Sequence, residues 1–593
     1  MALKPGISIA SLSQDDLFRQ IMTTDILHEQ PFGSLQAVYQ VHRPVDGRHR
    51  PGKFAQASDA RSVRKARFPL GRISVNWRLH AALACATCFA TTPVHAGDWP
   101  QFRYDAGRTA ASPDELPAGL HLRWTRTLPA ARPAFPGEVR LSYDAAYEPV
   151  VFGHTMLVPS MVSDSVTALD TETGVERWRF MAEGPVRFAP VAWDGKVFFV
   201  SDDGYLYCLN GDGSLRWKYR GLPEGRKDRK LLGHGRLISL WPARGGPVLA
   251  DGVVYFAAGL WPTEGVFVHA LDAKSGRPIW SNTACDRIPA SNLDHGVEAI
   301  AGLSPQGYLA VVGDRLIVPC GQQLPAFLDR KTGNLASYTT GWGGRIGLPK
   351  GCWFVAGVGN YLSHAGDLYD IGRRNEERLD KPKPGTRNFK PMLYPGGWTR
   401  IDIERANQRE LDSFQQPVLT PDVMYESRGG IVARDLKEYS LQARTKDNIP
   451  AHRGGDELSD HFGGIFRQLW QFPSTLAVHI KAGRNLYVGA AGVVEAIDTA
   501  ATQGPRVVWR AEFKGTPRRM LAADERLFIV TAEGTILAFA AGAAGDVTRH
   551  EATPDLPPSA DKWTARAGEI LAATGVRDGY ALVLGVDGGR LVE

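Results

Sequence analysis

The chain has 593 residues, 43% of them apolar and 22% charged, which excludes a wholly disordered protein. Its net charge of +6 belongs to the first hundred residues. Residues 1–96 hold twelve Lys and Arg against six Asp and Glu, whereas residues 97–593 hold 57 of each. The body therefore carries no basic excess that would mark a nucleic-acid partner.

In chain order, residues 1–71 show no sustained period and read as a disordered extension with a basic run from Arg61 to Arg67. Residues 72–96 read as a signal peptide. Arg72 and Arg78 form the basic flank, His80–Phe89 is a short apolar run, and Val94 and Ala96 occupy the −3 and −1 positions of a cleavage site. Leaders belong at chain starts, so translation is expected to begin near Val75. Ala82 stands where a lipobox needs Leu ahead of Cys85, so no lipid anchor is expected. The expected location is periplasmic or secreted, with no transmembrane segment in the mature chain.

A pattern then recurs. Val166–Trp178 reads VTALDTETGVERW, Tyr205–Trp217 reads YLYCLNGDGSLRW and Val268–Trp280 reads VHALDAKSGRPIW. Their key positions are Asp170, Gly174 and Trp178; Gly213 and Trp217; Asp272, Gly276 and Trp280. Weaker copies run through Asp329 and Gly333, and through Asp498 to Trp509. Each follows a hairpin signal such as Asp194-Gly195 or Asp251-Gly252, where a tight turn needs positive φ. Eight units start near residues 153, 195, 252, 314, 351, 422, 483 and 525. Four-stranded units repeated at this spacing predict an all-β fold, a β-propeller of about eight blades, with seven as the alternative count. The recurrent Trp is expected to dock between blades, its indole N–H donating to a turn carbonyl. Leu122–Leu128 is expected to complete the last blade, near 525–540, which removes a free sheet edge.

The motif A/L-D-x-x-T-G-x-x-x-W resembles the PQQ-type repeat shared by quinoprotein dehydrogenases and assembly factors of the BamB type. The stretch Asp98–Thr109 (DWPQFRYDAGRT) is similar to the mature start of exported members of this PQQ-binding-like family. The resemblance implies a propeller over residues 97–545 and is specific for fold rather than activity. Residues 364–420 and 444–464 interrupt the rhythm and read as insertions, with a short surface helix over Ile403–Asp412.

The resemblance raises one catalytic reading: a PQQ-dependent dehydrogenase oxidising alcohols or sugars, with calcium beside the cofactor. The alcohol-oxidising members carry an adjacent Cys pair and a Glu, an Asn and an Asp around the ion. This chain has no Cys-Cys pair, no C-x-x-C-H, and no Asn/Asp arrangement that maps onto that set. The cofactor is left open, no catalytic or metal residue is assigned, and the first reading is a binding or scaffold module of the periplasm or cell envelope. Cys208, Cys285, Cys320 and Cys352 allow three disulfide pairings, or stay free. His295 and Ser304 lack a G-x-S-x-G elbow. His154, His234 and His269 fall in or beside strands and read as packing residues.

The residues chosen for ligand binding are Trp241, Arg244, Trp261, Glu264 and Gln306, where rings stand beside charged or amide groups in connections entering the blades. The ligand would be a protein, peptide or carbohydrate at a propeller face, and the protein a monomer. The competing reading is that these groups cap blade edges.

Residues 558–593 change character. Asp561–Ala573 has helical spacing, Gly575 provides a stop, Tyr580–Leu584 reads as a buried strand, and a glycine loop follows. This order resembles the opening of a class I methyltransferase domain, and a third reading is the propeller half of a truncated methyltransferase fusion.

Overall fold

A computed structural model of the chain describes residues 97–290, 299–321, 323–338, 351–365, 367–374, 398–401, 416–443, 462–551 and 562–575. The leader, the basic run, His295, Ile403–Asp412 and the strand and glycine loop after Gly575 lie outside these residues.

Eight antiparallel four-stranded sheets follow one another along the chain as the blades of a propeller. Their first and last strands are Val150–Phe152 and Glu176–Met181 in blade one, Val191–Trp193 and Leu215–Arg220 in blade two, and Gly245–Ala250 and Pro278–Asn282 in blade three. Blade four runs from Ala310–Val312 to Leu335–Ser337, blade five from Val355–Val358 to Trp398–Ile401, and blade six from Val418–Leu419 to Phe462–Phe472. Blade seven runs from Ala477–Ala482 to Arg506–Glu512. Blade eight takes three strands from Pro517–Ala540 and its fourth, His121–Thr127, from the front of the domain, with Leu122 opposite Phe539 and Thr125 opposite Leu537. All eight expected units are present. The hairpins turn as expected, with φ of 50° and 68° at Asp194 and Gly195, and 51° and 74° at Asp251 and Gly252.

The stretch 364–420 is not only insertion. Asp367–Arg374 and Trp398–Ile401 are the third and fourth strands of blade five, and Phe462–Phe472 begins inside the second irregular stretch. Leu368, Tyr369 and Ile371 are buried there, so packing between blades overrides a composition that reads as loop.

The repeat residues meet across blade boundaries. The Nε1 of Trp178 in blade one donates to Gly211 O of blade two at 2.9 Å, and Trp280 of blade three to Arg330 O of blade four at 3.0 Å. Trp509 of blade seven reaches Leu120 O beside blade eight, and Trp124 of blade eight reaches Thr171 O of blade one, each at 2.9 Å. Each of four indoles packs against the turn glycine of the next blade: Trp124 on Gly174, Trp178 on Gly213, Trp217 on Gly276 and Trp280 on Gly333. These glycines hold φ between 72° and 85°, so both the turn and the ring above it exclude a side chain. The Asp of the motif sets the turn, as Asp170 Oδ1 accepts from Thr173 N and Asp272 Oδ1 from Ser275 N, both at 2.8 Å.

A feature the repeat does not announce fills the hub. Residues 97–114 run as a belt past the first strands of all eight blades, in circular order. Gly97 O accepts from Asp524 N in blade eight, and Trp99 exchanges two backbone bonds with Val151 in blade one. Pro100 O accepts from Ala192 N in blade two, and the Gln101 amide bonds both N and O of Leu249 in blade three. Ala106 O then takes Val311 N of blade four, Gly107 O takes Gly357 N of blade five, Thr109 O takes Leu419 N of blade six, and Ala110 O takes Lys481 N of blade seven. Gly97 N donates to Asp114 Oδ2 at 3.0 Å and closes the circle. Arg103, Tyr104, Arg108 and Ala110 all hold positive φ, a conformation costing about 1–2 kcal/mol each, which these bonds offset.

The chain divides into two units, Ala90–Ala552 and Met1–Phe89 with Thr553–Glu593. In the second, Lys562–Thr574 forms a helix, ended by Gly575 at φ 66°, whose N–H donates to Leu571 O. Among the described residues no helix is long and apolar enough to cross a membrane.

Candidate ligand site at the hub

The five residues chosen from sequence separate into three places. Trp241 is buried with Leu222 and Phe267, and its Nε1 donates to Glu264 O at 2.6 Å. Arg226 lies over the Trp241 ring at 5.3 Å and donates to the same carbonyl. Glu264 ends the 3-10 turn Pro262–Glu264, and Trp261 stands just before it. These three form one group at blade three.

Arg244 goes elsewhere. It is fully buried and grips Asp202 through Nε–Oδ1 at 2.6 Å and Nη2–Oδ2 at 2.8 Å, while Nη1 donates to the Tyr143 hydroxyl. Asp202 also takes Arg187 Nε at 2.7 Å, and Arg187 Nη1 reaches Asp144 at 2.6 Å. Burial works against the Asp202 charge, but Arg244 and Arg187 outweigh it and hold its carboxyl below the usual range. Burial raises the Asp144 pKa despite Arg187. The network ties blades one to three together. Gln306 lies at the junction of blades three and four, its N–H donating to Pro319 O and its Nε2 to Ser304 Oγ at 3.3 Å.

The histidines also separate. His269 is buried against Phe256 and bonds Ser281 Oγ, and His234 packs edge-on to Phe135. His154 does not pack: its side chain is 79% exposed and pairs with Asp524 at 2.9 Å. A hairpin tip is solvated, which its strand-edge position in the sequence did not reveal. The four cysteines of the body are buried and free.

A cavity of about 360 Å³ opens at the hub, between the belt and the first strands of blades seven and eight. Trp99, Phe102 and Arg103 of the belt, Glu148 ahead of blade one, His479 of blade seven and Arg519 of blade eight line it. Arg103 donates to Arg108 O, to Gln416 Oε1 at 3.0 Å and to Pro417 O, and lies over the Phe354 ring at 5.5 Å. Arg519 pairs with Glu148, donates to Arg518 O and lies over Trp353 at 5.7 Å.

The electrostatics are those of a basic site. Burial and the Arg519 charge bring Arg103 down to about 9. Burial pushes the Glu148 carboxyl up to about 7, against the pull of Arg519 and Arg103. Burial and the two arginines hold His479 down to about 3, so it is neutral near pH 7. Sequence reading missed Arg103, Glu148 and Arg519. The available signal was charge at the hub edge of apolar first strands, with Glu148 just before Val150–Phe152 and Arg518-Arg519 inside Pro517–Ala523.

Comparisons with known proteins can be set beside this geometry. Residues 122–238 and 164–342 match the family model of the outer membrane protein assembly factor BamB. The PQQ-type repeat resemblance is borne out over residues 122–342. No curated protein sequence matches the chain. Among solved structures, BamB from Moraxella catarrhalis is similar at 14% identity over 71% of this chain and 100% of its own, with a TM-score of 0.30. Quinohemoprotein alcohol dehydrogenase from Comamonas testosteroni is similar at 16% identity over 81% of this chain and 85% of its own, with a TM-score of 0.43. A europium-containing methanol dehydrogenase gives 14%, 75% and 98%, with a TM-score of 0.42. The methyltransferase likeness of the C-terminus finds no support in these matches.

The calcium that the PQQ-type resemblance implies can be tested against the hub residues. Calcium takes six to eight oxygen ligands. Around the cavity Glu148 Oε1 and Gln416 Oε1 are bonded to Arg519 and Arg103, and three arginines stand beside them. This donor set does not fit the ion.

Proposed function

We propose that the protein is a binding or scaffold propeller of the cell envelope, with the hub cavity as its ligand site. One observation carries the reading. The cavity gathers Arg103, Arg518 and Arg519 beside an apolar wall of Trp99 and Phe102, with its carboxylate, Glu148, paired to Arg519, so the site is furnished for holding a ligand. The BamB match over residues 122–342 supports an envelope scaffold, and the reading of residues 72–96 as an export signal agrees with it. The Trp241, Trp261 and Glu264 group would serve as a separate docking point for a peptide or sugar on the propeller face. The test is an assay of the purified full chain for dye reduction with alcohols and sugars, with added pyrroloquinoline quinone and calcium. No turnover above a buffer control is expected, and reproducible turnover would overturn the binding-module reading.

A further inference from the structure

We propose that the hub cavity recognises a small organic anion through a carboxylate or phosphate group seated between Arg103 and Arg519. The proposal rests on the hub cavity being a ligand site and names the chemistry of that ligand.

Charges from three parts of the chain face the hub. The belt contributes Arg103, Asp105 and Arg108, blade one's approach Glu148, and blade eight Arg518 and Arg519 at the wall. Both Asp105 oxygens accept from Thr109, from its N–H at 3.0 Å and its hydroxyl at 2.6 Å. Glu148 is taken by Arg519. The bonds of Arg103 go to neutral oxygens on Arg108, Gln416 and Pro417. Arg108 likewise meets the carbonyls of Leu309, Phe102 and Pro247. A guanidinium has five N–H donors in a planar fork. Arg103 spends three of them on these oxygens, and Arg519 spends two, on Glu148 and Arg518 O.

Arg519 has Glu148 beside it, but Arg103 is partly withdrawn from water and donates only to neutral oxygens, and an anion in the cavity supplies it with a counter-charge. The fork matches the paired oxygens of a carboxylate or phosphate, which a sugar hydroxyl does not reproduce. The space is roughly that of a dozen waters, at about 30 Å³ each, enough for a small metabolite. Trp99 and Phe102 give it an apolar wall for a carbon skeleton. The belt thus does two things. It closes the hub, and it delivers Arg103 in a conformation (φ 53°) fixed before any ligand arrives.

The test is calorimetric titration of the full chain with citrate, inorganic phosphate and glucose. The titrations are repeated on Arg519→Gln, Arg519→Lys and Glu148→Gln, each checked by circular dichroism and melting. Citrate or phosphate should bind wild type at least about tenfold tighter than glucose and weaken with added salt. Arg519→Gln should lose about tenfold or more, and Arg519→Lys less, since it keeps charge without the fork. Glu148→Gln should tighten binding, because it removes the carboxylate that competes for Arg519. Anion binding unchanged in both Arg519 variants overturns the proposal. Binding of glucose but neither anion overturns the anionic class and leaves the cavity reading standing. No binding of any probe to folded wild type overturns both.

Discussion

Substituting Gly213→Ala probes the joint that repeats around the ring. The added Cβ would stand 2.6 Å from Cδ2 of Trp178, at a residue with φ 85°. Left-handed backbone costs a residue with a side chain about 1–2 kcal/mol. Displacing a packed ring adds about 1–3 kcal/mol of overpacking. If the indole moves, its bond to Gly211 O at 2.9 Å goes too, worth about 1 kcal/mol. The sum is about 3–6 kcal/mol. The control is Gly195→Ala, which shares the positive φ, at 68°, but has open space around its Cβ. That change should cost about 1–2 kcal/mol from backbone alone. Equilibrium denaturation of both, followed by tryptophan fluorescence, isolates the ring contact as their difference. Equal midpoints for the two variants would refute the idea that the indole on the glycine holds neighbouring blades together.

Four further expectations follow from burial and charge. Asp202→Asn removes the carboxylate shared by Arg187 and Arg244 and should destabilise by about 3–5 kcal/mol. Lys218→Ala, which breaks an exposed pair with Glu183 at 3.3 Å, should cost about 0–1 kcal/mol in the same denaturation assay. Arg108→Gln leaves the carbonyls of Leu309 and Pro247 without their donors in the hub, and a fall in melting midpoint equivalent to about 3 kcal/mol or more is expected. For pH, burial lowers His269 from 6.5 to about 4, so the folded protein keeps it neutral while the unfolded chain takes a proton below 6.5. Its contribution is complete above pH 6.5 and is lost as pH falls towards 4, about 3 kcal/mol in all. Stability measured from pH 7 to 4 should therefore decline less steeply in His269→Gln than in wild type.

The ring was legible in the sequence because its physics is local and repeated. An Asp-Gly hairpin, a motif Asp that closes its own turn and a Trp two or three residues before a strand end are short-range facts, and each copy restates them. The closure by Leu122–Leu128 was legible too, since a strand with the Trp signature but no partner beside it must find one elsewhere. The belt was not. Its bonds join residues 97–114 to partners as far away as Asp524, and they run mainly through backbone, which leaves no periodic trace. Blade five was obscured for the opposite reason: its third strand is followed by Pro- and Gly-rich sequence that dominates any window drawn across it. The five residues chosen for ligand binding fall in three places because rings beside charges at blade connections look alike whether they face solvent or each other. Arg244 illustrates this. Its neighbours Trp241 and Gly245-Gly246 suggested an open mouth, but Asp202, 42 residues away, draws it into the core.

Charge follows the same logic at a larger scale. Residues 97–593 balance at 57 against 57, and a count alone would deny the body any electrostatic preference. Balance is a property of the whole surface, whereas recognition depends on which charges are denied water and partners. On the rim the arginines meet carboxylates, as Arg177 meets Asp170 and Arg484 meets Asp498. In the hub, Arg103 and Arg108 meet carbonyls instead. The charges that make the sum zero are thus spread over the blades, and one segment, the belt that touches every blade, brings Arg103 and Arg108 to the hub. A ring of near-identical units has no unique place of its own. The belt gives it one, because residues 97–114 pass each blade once, in order, and set Arg103 against the blade eight arginine alone.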